Sequence, residues 1–304
     1  MRTTRSLRYG SRSECWRWTE AGVRTPVLGE SDFRDQMKLT SMIRAADWLL
    51  GLGVSVRQFV RYCCEQPPET RKGMPVLRDW DLALDADRVL WGQGANPAVI
   101  RARRPKLAEL AERAIEEGRP YLAPAVLYRR IPIVGLRHER LTLAGSGHLQ
   151  GPLIAGRLAA ASKVIVAVCT VGDGLARRIS EGFRTDPVHA LALEGVAAAA
   201  AEALAEAACR RFEAFGQAEG LQASIPLNPG MIGWPLEEGQ PQIFGLLPSV
   251  ASEIGVSLEP SGLMQPLKSL SLVIGLGRHL DSAGQSCDYC SMRETCRHKD
   301  HGHV

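Results

Sequence analysis

A chain of 304 residues, 45% of them hydrophobic, is long enough to bury a sizeable core and to hold two domains. A formal charge of +4 is too small a bias to imply nucleic acid by itself. Eight cysteines, three of them crowded into the last eighteen residues, do not make a secreted disulfide framework, so a reducing cytoplasm is expected.

Residues 1–42 read as a basic, flexible arm. Seven arginines from Arg2 to Arg34 are spread without an apolar period, and the true start could lie downstream at Met37 or Met42. No apolar segment precedes a cleavage site there, so no secretory signal is expected. Residues 43–80 follow as a helical extension. In "AADWLLGLGVSVRQFVRY", Ala46, Leu49, Leu50 and then Val56, Phe59, Val60 sit at helical spacing on either side of a glycine turn. The pattern is faintly similar to a helix-turn-helix, but the turn is two residues too long. A hairpin packed on the main domain is the better reading, and nucleic acid is an unexpected partner.

From residue 81 the pattern changes. "PAVIRARRPKLAELAERAIEEG" predicts one long charged helix with an apolar stripe at Ile100, Leu107, Leu110, Ala111 and Ile115. "AVLYRRIPIVGL" and "ERLTLAG" predict strands. Val164–Cys169 has the continuous branched character of a strand buried on both faces. "TVGDG" then turns the chain into a helix, whose N-terminus could meet an anion but is more simply a tight turn.

The alanine-rich segment from Pro187 to Phe215 predicts the longest helix, with a small face that lets it lie across a sheet. Its charges argue against a membrane span. Glu194, Glu202 and Glu206 lie four or eight residues apart and so near one face, ordinarily a solvated stripe. "NPGMIGWP" is a rigid glycine–proline loop. "QPQIFGLLPSVASEIG" predicts a short helix, and "SLSLVIGLG" a final strand.

The chain nearly ends with "SCDYCSMRETCRHKDHGHV", making residues 281–304 a tail with Cys287, Cys290 and Cys296 spaced C-x2-C-x5-C. Asp288, Arg293, Glu294, Arg297 and Lys299 leave too little apolar surface to bury these thiols as core, so they read as metal ligands. Three thiolates suit an iron–sulfur cluster or a Cys3His zinc site. His298, His301, a distant cysteine or a small molecule would complete the set.

Taken in order, the strand ending in "TVG", the acidic alanine-rich helix, the "PG" loop, "IFGLL" and "IGVSLEPSGLMQPLKSLSLVIGLG" resemble the activation domain of vitamin B12-dependent methionine synthase. The resemblance is strongest to stand-alone proteins that carry only that domain, and it covers about residues 81–280. It implies an α+β fold, a twisted antiparallel sheet flanked by helices. It also implies a protein that binds S-adenosylmethionine and docks on a corrinoid protein or B12-dependent methyltransferase. There, an electron and a methyl group restore methylcobalamin from the inactive cob(II) state, and the corrinoid stays with the partner. Such an accessory needs a low-potential electron, which favours iron–sulfur over zinc. The alternative is a non-catalytic metal-binding adaptor on the same fold.

Carried over residue by residue, the resemblance places Glu202 near the cofactor's cationic end and Gly230 and Met231 in the cofactor loop. The family's loop carries an arginine and a tyrosine where this chain has Pro226 and Met231, which removes the carboxylate's charge partner. Lys268 is a candidate replacement. Met231 and Trp234 are expected at an exposed rim facing the partner, with the alternative that Trp234 caps the core.

Overall fold

The computed structural model describes residues 74–296 in full and, upstream, the backbone of two short strands. The chain divides into two units at Glu69 and Thr70. In the first, β1 (Trp16–Trp18) pairs antiparallel with β2 (Arg24–Pro26), within the stretch expected to be an arm. The helical extension expected over 43–80 lies outside the described residues as far as residue 73. From residue 74 the chain is already part of the second unit, because β3 (Val76–Leu77) pairs with Leu127 and Val126. The main domain therefore begins several residues before the expected boundary at 81.

The second unit is α+β, with a curled antiparallel sheet flanked by helices. Its centre is β7 (Lys163–Thr170), between β4 (Ala125–Arg137) and β11 (Ser269–Gly277). The order continues through β5 (Arg140–Leu143) and β6 (His148–Gln150) on one side and β8 (Gln222–Ala223) on the other. A register shift between Ile133 and Gly135 bends β4, so its first half pairs with β7 and its second with β5. A separate pair joins β9 (Ser257–Leu258) to β10 (Met264–Gln265).

Strand periodicity sends alternate side chains to opposite faces. Val164, Val166 and Val168 enter one core with Ile154, Trp234 and Ile243, whereas Ile165, Ala167 and Cys169 enter the other with Leu204, Ala208 and Phe212. The first core is covered by α4 (Pro152–Leu158) and α7 (Leu236–Leu246). The second is covered by α6 (Pro187–Ala218), the predicted alanine-rich helix. By length and composition α6 could cross a bilayer, yet most of its apolar window is buried inside the fold.

A third cluster packs α6 against α1 (Ala86–Gly92), α3 (Pro105–Gly118) and α5 (Gly174–Gly182). The expected single helix over 97–118 is two helices, α2 (Pro97–Arg103) and α3. Arg104 sits at φ −147°, ψ 63°. Pro105 lacks an N–H and its ring disfavours a helical conformation in the residue before it. The buried stripe of α3 is correspondingly Ala108, Ala111, Ala114 and Ile115, small enough to meet an alanine helix. Likewise the helix expected over 240–255 ends at Leu246, and α8 (Val250–Ile254) follows Pro248.

The crossing of α1 and α6 depends on glycine. A Cβ on Gly195 would lie 2.5 Å from the Val89 carbonyl, and one on Gly92 would lie 2.7 Å from the Gly195 carbonyl. Gly195→Ala is therefore expected to lower stability by roughly 1–3 kcal/mol. Gly156→Ala, on an exposed helical position with nothing within 4 Å, should leave stability unchanged or raise it by about 0.5–1 kcal/mol. Paired denaturant melts check both, and equal midpoints for the two variants would contradict the close-packed crossing.

Candidate functional site

A large opening in the second unit lies where β11 loses its outer neighbour. β8 pairs only with Leu276 and Gly277, so the earlier part of β11 has α6 on one side and a loop and the C-terminal tail on the other. They enclose an open cavity of about 740 Å³. Glu202, Glu206, Cys209, Arg210 and Glu213 of α6 form one wall. Ser224, Pro226 and Asn228 form a second, Leu270 and Leu272 the floor, and residues 282–287 of the tail a third wall that includes Cys287. A smaller cavity of about 210 Å³, with Gln240 and Ser271 in its lining, shares Asn228 and Leu270 with the first.

The tail is held in place by one buried cation. Arg157 of α4, its side chain only 10% exposed, donates from Nη1 to Asp281 Oδ2 at 3.0 Å and from Nη2 to the carbonyls of Asp281 and Ala283, both at 2.9 Å. Its guanidinium also lies 5.6 Å from the Tyr289 ring centroid. Further along, Ser286 Oγ donates to the Pro226 carbonyl at 3.1 Å, and the Ile232 amide donates to the Tyr289 carbonyl at 2.8 Å. Met231 and Cys290 form a one-residue β-bridge.

The glycine–proline loop is thus a platform for the tail. Gly230 at φ +98° and Gly233 at φ +86° adopt left-handed backbone, and the Gly230 amide closes the turn onto the Trp234 carbonyl at 2.8 Å. Neither Gly230 nor Met231 lines the large cavity; from this loop Pro226 and Asn228 do. Met231 is buried and its sulfur accepts from the Asn228 amide at 3.4 Å. Trp234 is not at an exposed rim: it is wholly buried in the core, because the two left-handed glycines turn it inward under α4 and α7. Exposed apolar residues here include Ile232, Leu263, Leu267 and, on the tail, Met292.

Of the expected charged residues, Glu202 is exposed and lines the cavity. Glu206 is held by Arg88 through two hydrogen bonds of 3.3 and 3.1 Å. Lys268 is paired with Glu194 at 2.6 Å and is not among the cavity's lining residues, so it does not replace the missing arginine there. Sequence reasoning missed Arg157, Arg210, Cys209 and the entry of Cys287 into the cavity wall. Of these, only the α6 residues carried a signal, since 202, 206, 210 and 213 share a helical face.

The thiols differ in setting. Burial, reinforced by Glu213, pushes Cys209 up to about 12. Cys287 is half-buried and also raised, chiefly by burial and then by Cys290, Cys296 and Asp288 nearby. Among the described residues no three His, Cys, Asp or Glu side chains converge as a metal's ligands would. Thiols are donors a metal would take, and Cys290 and Cys296 help raise Cys287, but the three are not gathered as a ligand set. His298 lies outside the described residues.

No protein-family profile matches the chain, and no curated protein matches it. The fold is similar to a solved structure of the MetH reactivation domain bound to AdoHcy. The match has 16% identity and a TM-score of 0.53, and it covers 75% of this chain and 86% of that one. At that identity the likeness is one of fold.

The Arg157 clamp makes a direct prediction. Arg157→Ala should release residues 281–290, and the Ile232 amide, whose acceptor is on the tail, should exchange with solvent at least about tenfold faster. The amides of β7 and β11 should keep their protection. Hydrogen exchange read by mass spectrometry separates the two regions, and a tail as protected as in the parent protein would contradict the clamp.

Proposed function

We propose that the protein is an accessory factor for reductive reactivation of a corrinoid protein or B12-dependent methyltransferase. In this reading the large cavity receives an S-adenosyl compound, and the tail thiols hold a metal centre beside it. The observation that carries the proposal is that Cys287, one of the three tail thiols, lines the same cavity as Glu202. A fold shared with a reactivation domain that binds AdoHcy supports the same reading.

The residues divide the work simply. Glu202 faces the cationic part of the cavity's ligand. Arg157 fixes the tail so that Cys287 stays in the wall, with Cys290 and Cys296 behind it and His298 as the candidate fourth ligand. An iron–sulfur centre, when bound, supplies a low-potential electron. Leu270 and Leu272 give the ligand an apolar floor. The corrinoid comes with the partner, and Ile232, Leu263, Leu267 and, on the tail, Met292 are exposed apolar residues that a partner could cover.

A second reading has its own support. Pro226 brings no charge to the cavity wall, and Met231 lies outside that wall, so the chain could be a metal-binding adaptor that docks on a methyltransferase without handling a cofactor. Zinc in the tail would favour it.

Protein purified without oxygen, or reconstituted with iron and sulfide, is expected to be brown and to lose iron when Cys287, Cys290 and Cys296 are all changed to serine. Thermal unfolding of the core should move little, because the tail follows the last strand. Unchanged iron in the triple variant would place the metal elsewhere. A colourless protein with stoichiometric zinc would favour the adaptor. Metal uptake must displace thiol protons, and the raised Cys287 holds its proton to higher pH. Uptake at fixed metal concentration should therefore fall as pH drops from about 8.5 to 6.5. Co-purification of a corrinoid protein from the native host would support either reading over one unrelated to B12.

A further inference from the structure

The smaller cavity, of about 210 Å³, has no part in the function proposed above. Its lining is wholly uncharged. Leu236, Leu263, Met264 and Leu267 give it apolar walls, and two side-chain amides, Asn228 and Gln240, give it polarity. Leu263 and Leu267 are exposed, so the mouth opens to solvent, whereas Gln240 is only 4% exposed. One residue of β11 holds both amides. Asn228 Nδ2 donates to the Ser271 carbonyl at 2.8 Å, and Gln240 Oε1 accepts from the Ser271 hydroxyl at 2.9 Å. The two amides are therefore neighbours, each with one edge spent on Ser271. Neither Asn228 Oδ1 nor Gln240 Nε2 has a hydrogen-bond partner among the described residues. Ser269, the other hydroxyl in the lining, is turned to Thr170 Oγ1 at 2.9 Å. Buried polar groups are ordinarily paired, so an unspent amide edge in a mostly apolar cavity calls for a partner from outside.

The lining dictates the chemistry of that partner. A carboxylate would enter without a cation to meet it, and an ammonium without an anion, each at a large desolvation cost. A bare hydrocarbon would leave both amide edges unpaired. A primary amide carries a carbonyl for Gln240 Nε2 and an N–H for Asn228 Oδ1. Being donor and acceptor at once, it also answers Gln240 with that side-chain amide turned over, an orientation the Ser271 hydroxyl would accept equally. The cavity is smaller than the roughly 300 Å³ and upward that take a whole drug-sized ligand, so it suits one short arm of a larger molecule.

We propose that the small cavity binds a primary amide on a short aliphatic stem, with Gln240 and Asn228 as its hydrogen-bond partners. The source that suits the proposed function is the rim of a corrin ring, which carries several such arms. That identification rests on the corrinoid reading, and the amide site itself does not. The small cavity shares Asn228 and Leu270 with the large one, so an arm seated in it would bring the ring that bears it to the edge of the large cavity.

Methyl-labelled methionine gives the readout, because Met264 lines the cavity. Propionamide should shift the Met264 methyl resonance saturably, and propionate and methyl propionate should bind about tenfold or more weakly. Gln240→Met keeps the bulk of the side chain and removes its amide, and should weaken propionamide by about tenfold. Because Gln240 is buried, Leu267→Trp serves as a second variant. It narrows the mouth from an exposed position, and should weaken propionamide while unfolding at the parent's midpoint. Equal affinity for amide, acid and ester, or full binding in both variants, would overturn the amide site. Cobinamide, whose arms are amides, then tests the source. It should displace propionamide from the parent protein and bind about tenfold more weakly to Gln240→Met. Cobinamide that binds without displacing propionamide would overturn the corrin arm as the occupant and leave both the amide site and the corrinoid reading standing. Cobinamide that does not bind at all, with propionamide bound as expected, would count against the corrinoid reading and leave the amide site.

Discussion

Everything in the second unit follows from burying β7 and β11 on both faces. A strand in that position has no water to satisfy it, so its backbone groups must all be paired and both its faces covered. β7 meets the first demand fully between β4 and β11. The second demand recruits α6 to one face and α4 with α7 to the other. Where β11 runs past the end of β8, the covering stops being regular. The chain fills that gap with the Leu227–Val273 bridge, the side-chain amide of Asn228 on the Ser271 carbonyl, and the tail. The cavity is the part of the gap left unfilled, so the site lies at the sheet's incomplete edge.

The central strands and α6 were legible because their signals are local. Val164–Cys169 alternates between two cores and is apolar at every position, and α6 combines strong helix formers with small residues. The division of residues 97–118 was also written locally, in Arg104–Pro105, and was overridden by the continuous apolar stripe on either side. β3 was not legible. Two residues carry no period, and their pairing with β4 lies some fifty positions away in the sequence.

The site was legible in its ingredients and not in its assembly. Glu202, singled out through a family resemblance, and Cys287, singled out by spacing, both line the cavity, whereas Cys290 and Cys296 do not. Gly230 and Met231, assigned to a ligand, do not line the large cavity; Met231 bridges to Cys290, and Ser291 Oγ donates to the Gly230 carbonyl. The difference comes from Arg157, which contacts Asp281 across 124 positions of sequence. Nothing near Arg157 distinguishes it from any other arginine at the end of a short helix. Sequence left Trp234 open between rim and core for a related reason, since exposure near a loop is decided by the direction in which two positive-φ glycines send the chain, here into the core.

Charge gives the cavity a definite preference. Most ion pairs among the described residues are surface pairs, screened by water and worth little, such as Arg101–Asp87 and Arg177–Asp173. Arg157 differs because it is nearly buried and pairs with the Asp281 carboxylate and the carbonyls of Asp281 and Ala283, none of which lines the cavity, so it fixes geometry without neutralising the cavity. Arg88 neutralises Glu206, and Arg210 offsets one of the two remaining carboxylates, Glu202 and Glu213. What is left is a weakly negative wall facing Cys287. Such a field favours positive charge placed between the walls, and through Glu213 it adds to the burial that raises Cys209. A metal ion on the tail or a cationic group on a ligand would each relieve the same imbalance. The two therefore compete electrostatically for one field while sharing one wall, so loading the tail with metal should change how strongly the cavity holds a cation.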